Sequence, residues 1–332
     1  MKAVSPYVLV LIVLLAAPLA AQDTVVLRGK AGGETRVTGR ILDHTGRELT
    51  IELPGGTEQR FPADQIVQVH TSRTAEQTRG DDLFDRGEFT TALAMYRAAM
   101  DADQRRWVRR GLLARAVRCY DALGRPAEAG AFFLLLVGDD PSTQYFDCIP
   151  LGWTPGQPDA ALEQAARTWL NSDRPAAVLL GASHLLSTSL RPHAVAKLGD
   201  LRGNADPRVA RLAEAQLWRA TGVQSTPAQR AGWLRAVEAM PESLQAGPYF
   251  ALGLAQAQAG EHEQAAISLL RVAIVYPRQR VLAARAALES ALAMEQLGRG
   301  DQAARLYEEL VRDYKDQPRI VAEAQARLET KP

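Results

Sequence analysis

The sequence predicts a mainly α-helical protein, an α-solenoid of helical hairpins preceded by a small five-stranded β-barrel. Three observations carry that expectation. Short alternating segments broken by Gly and Pro fill the chain from Asp23 to about residue 71 and then stop. Helical periodicity takes over from Thr74. Within the helical part, one pattern of small and large residues recurs at a spacing of about 37 residues, the mark of stacked repeats. Composition points the same way. Hydrophobic residues make up 47% of the 332, enough to bury a continuous core, while aromatics are only 6% and alanine is abundant. Alanine is the best helix former, whereas strands favour aromatic and β-branched residues.

The first 21 residues read as an export signal. Lys2 gives a positive start, Val8 to Ala17 is unbroken apolar sequence, and Pro18-Leu19-Ala20-Ala21 supplies small residues for cleavage before Gln22. The competing reading is an uncleaved membrane anchor. The apolar stretch reaches only about 18 residues even with Pro6 and Pro18 included, near the lower limit for spanning. The mature chain is therefore expected in a periplasm or cell envelope.

The strands come next. Val25-Val26-Leu27 precedes the turn Gly29-Lys30-Ala31-Gly32-Gly33. Val37, Gly39 and Ile41 alternate with Arg36, Thr38 and Arg40, and after His44-Thr45-Gly46 the residues Leu49, Ile51 and Leu53 alternate with Thr50 and Glu52. Pro54-Gly55-Gly56 turns the chain towards Gln59 and Phe61, and Ile66, Val67 and Val69 close the set. Curling such a sheet on itself leaves fewer open edges, hence the barrel. The run from Val37 to Leu53 resembles SH3-like or Sm-like barrels. Sm-type proteins bind RNA, but the basic excess that phosphate contacts need is absent. Without Lys2 the chain carries 38 basic and 38 acidic residues. A small packing module capping the solenoid fits the barrel equally well.

The repeats follow. Gly87-Glu88-Phe89-Thr90-Thr91-Ala92 leads to Tyr96 and Ala99, and Gly124-Arg125-Pro126-Ala127-Glu128-Ala129 leads to Phe133, Leu136 and Pro141. Leu252-Gly253 and Gly260-Glu261-His262-Glu263-Gln264-Ala265 lead to Leu269, Val272 and Pro277, and Gly298-Arg299-Gly300-Asp301-Gln302-Ala303 leads to Tyr307 and Leu310. This order resembles the tetratricopeptide repeat. The Gly ends the first helix of a pair in a left-handed cap, the Ala lets two helices cross closely, and the large residue one turn on fills the next gap. Between about residues 155 and 245 the pattern weakens. Asp173-Arg174-Pro175 and Asp206-Pro207-Arg208 look like HEAT-type helix starts, with Asp as cap and Pro in the first turn. The expected organisation is a leader over 1–21, the barrel over 22–72, repeats over 73–143, irregular hairpins over 144–245 and further repeats over 246–332.

The resemblance implies a non-catalytic scaffold that binds a protein or peptide on a concave face lined by the first helix of each pair. Contacts are then expected from Asp81, Asp85, Arg118, Asp121, Gln258, Glu295 and Gln296. The alternative is an envelope enzyme or carbohydrate-binding protein using Tyr145, Phe146 and Trp153 of the connector over 144–153, which equally fit packing between two lobes. No phosphate loop, dinucleotide fingerprint or Gly-x-Ser-x-Gly elbow is present, so no cofactor is expected. His44, His70, His184, His193 and His262 show no metal-ligand spacing. Cys119 and Cys148 are candidates for one disulfide in an oxidising compartment, Cys119 reading otherwise as a small core residue.

Overall fold

The computed structural model describes residues 22–29 and 32–330, so the expected leader and the Lys30-Ala31 turn tip lie outside the described residues. The chain divides into two compact units after Arg73. No helix among the described residues is long and apolar enough to cross a membrane.

The first unit is an antiparallel sheet of β1 (Asp23–Arg28), β2 (Glu34–His44), β3 (Glu48–Glu52), β4 (Glu58–Pro62) and β5 (Ile66–His70) in the order β4-β3-β2-β1-β5. β4 and β5 are the ends of that order, and no ladder joins them among the described residues. β2 is long because it serves both halves of the sheet. Its register shifts between Ile41 and Asp43, a bulge that bends the strand. The bend is pinned by Asp23, whose buried carboxylate accepts from the Ile41 amide at 2.9 Å and from the Thr71 hydroxyl at 2.5 Å.

The second unit is helical: α1 (Ala75–Asp85), α2 (Phe89–Ala102), α3 (Arg106–Ala122), α4 (Pro126–Asp139), α5 (Ala160–Leu170), α6 (Pro175–Leu185), α7 (Arg191–Leu201), α8 (Pro207–Thr221), α9 (Pro227–Glu238), α10 (Ala246–Gln258), α11 (His262–Val275), α12 (Arg280–Gln296), α13 (Gly300–Asp313) and α14 (Pro318–Glu329). The repeated residues do what their types dictate. Gly87, Gly124, Gly260 and Gly298 all have positive φ. In each turn the glycine amide bonds three residues back and the next amide bonds five back, as in Glu88 to Leu83 and Glu261 to Gln256, both at 2.9 Å. This double bond satisfies the last carbonyls of the first helix. Ala92, Ala129, Ala265 and Ala303 are buried at the crossings, with Tyr96, Phe133, Leu269 and Tyr307 buried one turn further on.

The middle hairpins differ in one detail from expectation. Asp206 caps α8 through the Arg208 amide at 2.9 Å, but α6 is preceded by Arg174, which gives no side-chain cap. The extra residue in Asp173-Arg174-Pro175 moves that aspartate one position out of the cap, and Ser172 takes the Arg174 amide instead.

Two layers result. α6, α8, α10, α12 and α14 form the inner layer, each packed on the next, while α5, α7, α9, α11 and α13 lie outside it. The helical unit also closes on itself. α12 packs against α3, and the Gln317 side chain at the start of α14 donates to the Ala122 carbonyl at the end of α3 at 3.1 Å. Arg278 pairs with Asp85 across the same seam at 3.6 Å.

Candidate functional site

The inner face of the helical ring is not empty. The connector between α4 and α5, irregular apart from one short 3-10 turn at Phe146–Cys148, crosses it and is held largely by its backbone. Arg208 of α8 donates to the carbonyls of Pro141, Ser142 and Thr143 at 2.8, 3.3 and 2.8 Å, and its guanidinium lies 4.2 Å over the Phe146 ring. Further on, the Gly152 amide donates to the Ser183 hydroxyl at 3.0 Å. The Pro150 carbonyl sits 2.9 Å from His184 Nε2; a carbonyl only accepts, so Nε2 carries the proton. Burial pushes the His184 ring down to about 4, helped by the nearby Arg219 cation, so the ring is neutral. Asp147 of the connector pairs with Arg118 of α3 at 2.9 Å.

Trp153 is the steric anchor. Its indole lies so close to α10 that a Cβ on Gly247 would fall 1.9 Å from the ring, so only glycine fits there. Phe146 packs edge-on against Phe133 at 5.6 Å, and Tyr145 lies over Gly111. Phe146 and Trp153 are both buried. Phe146 and Trp153 therefore pack the connector against the helices, and Trp153 also lines the cavities beside it.

Between the connector and the inner helices remains a cavity of about 490 Å³. Asp121 of α3, Ser183 and His184 of α6, Arg219 of α8, the start of α12 and Arg319 of α14 form its walls, with Ile149 to Asp159 along one side. Desolvation pushes the Asp121 carboxyl up to about 6 and the Arg219 guanidinium down to about 10. A second, smaller cavity of about 260 Å³ shares Trp153 and Arg219 and reaches Gln258 of α10.

The residues expected on the concave face thus separate. Asp121 lines the large cavity and Gln258 the small one. Arg118 is taken up by the connector. Asp81 accepts from the Tyr96 hydroxyl at 2.6 Å and lies 3.5 Å from Arg115. Asp85 belongs to the seam, and Glu295 pairs with Arg327 at 3.4 Å. Gln296 is the last residue of α12 and lines neither cavity. Of the two readings left open for Cys119 and Cys148, the structure has the unpaired one: both are buried free thiols, pushed up to about 12 by desolvation. Cys119 faces the helix core, whereas Cys148 packs with the connector. Sequence reasoning missed Arg208, Arg219 and Arg319, because an arginine within a helix carries no local sign of what a distant loop will bring to it.

A tetratricopeptide-repeat family model matches residues 285–316, which run from α12 through the Gly298 turn into α13 and just beyond. The chain is a helical repeat protein, and its segment 285–316 is similar to the tetratricopeptide repeat. No curated protein matches it. Repeats of this kind are typically non-catalytic protein-binding modules. Here the repeat-like hairpins at both ends of the helical unit bracket a connector that crosses the inner face.

Proposed function

We propose that this chain is an exported, non-catalytic scaffold of the bacterial cell envelope, and that it holds a protein partner on the outer face of its helical unit. One observation carries the choice of face. Six large hydrophobic side chains are prominently exposed among the described residues, and three of them, Ile267, Ile274 and Val275 at 65%, 71% and 44%, lie on α11. Positions i, i+7 and i+8 fall within about 100° on a helix, so the three form one outward stripe. An exposed apolar stripe of this kind favours contact with another protein. The inner face, by contrast, is crossed by the connector, which leaves room beside it only for small cavities. Export rests on the sequence pattern before Gln22.

Photocrosslinking in intact cells tests the reading. A crosslinking residue at Val275 should give a discrete protein adduct, whereas one at Glu309 on α13 should not. The double substitution Ile267→Asp and Ile274→Asp should remove the adduct while leaving the melting temperature within a few degrees. No adduct from Val275, or one that survives the double substitution, refutes the surface. A mature chain that keeps residues 1–21 refutes cleavage of the leader.

A further inference from the structure

The large inner cavity carries charges of both signs that the protein does not pair. The Asp121 carboxylate accepts no hydrogen bond and joins no ion pair among the described residues. Arg219 uses one nitrogen for the Ser183 carbonyl at 3.0 Å and the Gln216 amide oxygen at 2.5 Å. No carboxylate pairs with it among the described residues, and its remaining donors have no partner there. Arg319 at the cavity's edge is exposed to solvent and has no acidic partner among the described residues. The other candidates for charge on the wall are already engaged. Asp159 accepts from the Leu162 amide at 2.8 Å as the cap of α5, and His184 is neutral with its proton on the Pro150 carbonyl.

Asp121 and Arg219 are half-buried in the cavity wall and face it without a counter-charge among the described residues, so a ligand that brings the opposite charges can pair with both. A simple anion would meet Asp121, and a simple cation would meet Arg219 and Arg319. A zwitterion satisfies both ends. The volume falls within the range of small-ligand pockets, and Trp153 with Leu162 and Leu282 gives the apolar wall such pockets have.

We infer that the cavity binds a small peptide-type zwitterion, a free di- or tripeptide, with its ammonium group on Asp121 and its carboxylate on Arg219. Both contacts are charge-assisted hydrogen bonds, and the guanidinium fork suits a carboxylate. The site is inside the ring and independent of the α11 stripe, so it stands or falls apart from the scaffold reading.

Calorimetric titration of the full chain with trialanine tests it. Trialanine should bind saturably, and N-acetyl-trialanine and trialanine amide should each bind about tenfold or more weakly, the loss of one charge-assisted contact. In Asp121→Asn, acetylation should cease to matter while amidation still does. In Arg219→Gln, the dependence should reverse. Absence of saturable heat with trialanine up to about 10 mM, a range that would detect binding of a few kcal/mol, overturns the assignment. Blocked peptides that bind as well as the free one overturn it too, as does a discrimination pattern that Asp121→Asn leaves unchanged. Asp121→Asn removes only a charge and keeps the shape, so it decides the matter even where Arg219→Gln does not fold.

Discussion

The contact between Trp153 and Gly247 allows a test in which one substitution changes sign. Gly247 lies in the first turn of α10, where alanine is the better helix former by about 1 kcal/mol. On propensity alone, Gly247→Ala should stabilise. In the folded chain the new methyl would lie 1.9 Å from one indole carbon and 2.4 Å from another. Carbon atoms rest about 3.5–4.0 Å apart, so the indole must retreat by well over 1 Å or leave its slot. Forced overpacking costs about 1–3 kcal/mol, and expelling the indole approaches the about 3–5 kcal/mol of truncating a buried Trp. Less the propensity gain, the expected net loss reaches about 4 kcal/mol, and is about 2 kcal/mol or more if the indole is expelled. For a helical unit of this size the upper figure corresponds to roughly 12 °C in melting temperature. Urea unfolding followed by helical circular dichroism reads the difference. In a Trp153→Ala background the obstacle is gone, and Gly247→Ala should become stabilising by up to about 1 kcal/mol. If Gly247→Ala has the same sign in both backgrounds, the connector is not seated on α10 as described.

Other consequences are open to measurement. Arg208→Ala removes three carbonyl contacts and the stack on Phe146, and should cost about 2–4 kcal/mol in urea unfolding; Arg208→Lys should recover less than half, because an ammonium cannot bridge three carbonyls. Asp121 has its folded pKa raised from the ordinary 3.8 to about 6, so its stabilising balance is complete below pH 4 and lost as the pH climbs through 6. Asp121→Asn should then match the parent near pH 4 and exceed it by up to about 3 kcal/mol near pH 8, read from denaturation midpoints; equal stability at pH 8 would contradict the desolvation. Cys119 and Cys148 should both resist thiol reagents in the native chain and both react after unfolding, with no mass change on reduction.

What the sequence made legible follows from where each signal resides. The turn glycines, crossing alanines and gap-filling Tyr96, Phe133, Leu269 and Tyr307 sit a few residues apart and recur, so local chemistry written four times was enough to read them. The five strands were legible for the same reason, since period-two alternation and Gly turns are local. The connector was not. Its partners Ser183, His184, Arg208 and Gly247 lie tens of residues downstream, and nothing near Pro141 or Trp153 announces them. That also explains the concave-face residues: the family resemblance placed them on one shared face, while Arg118 meets Asp147 and Asp121 lines the cavity beside the connector. The Asp173 cap failed over a single inserted residue, a spacing that pattern alone treats as equivalent to Asp206-Pro207.

The seam between α14 and α3 bears on how the chain comes to be folded. An open stack gains order one neighbour at a time, and its early hairpins can mature while later ones are still being made. Here the bond from Gln317 to Ala122 spans 195 residues, so it cannot form until nearly the whole polypeptide has left the ribosome. Long-range closures of this kind slow the last step of maturation. They also fix the number of hairpins: inserting one more pair would prise Gln317 away from its mate, so gain or loss of a repeat, ordinary in the evolution of open arrays, would here leave a gap in the circle.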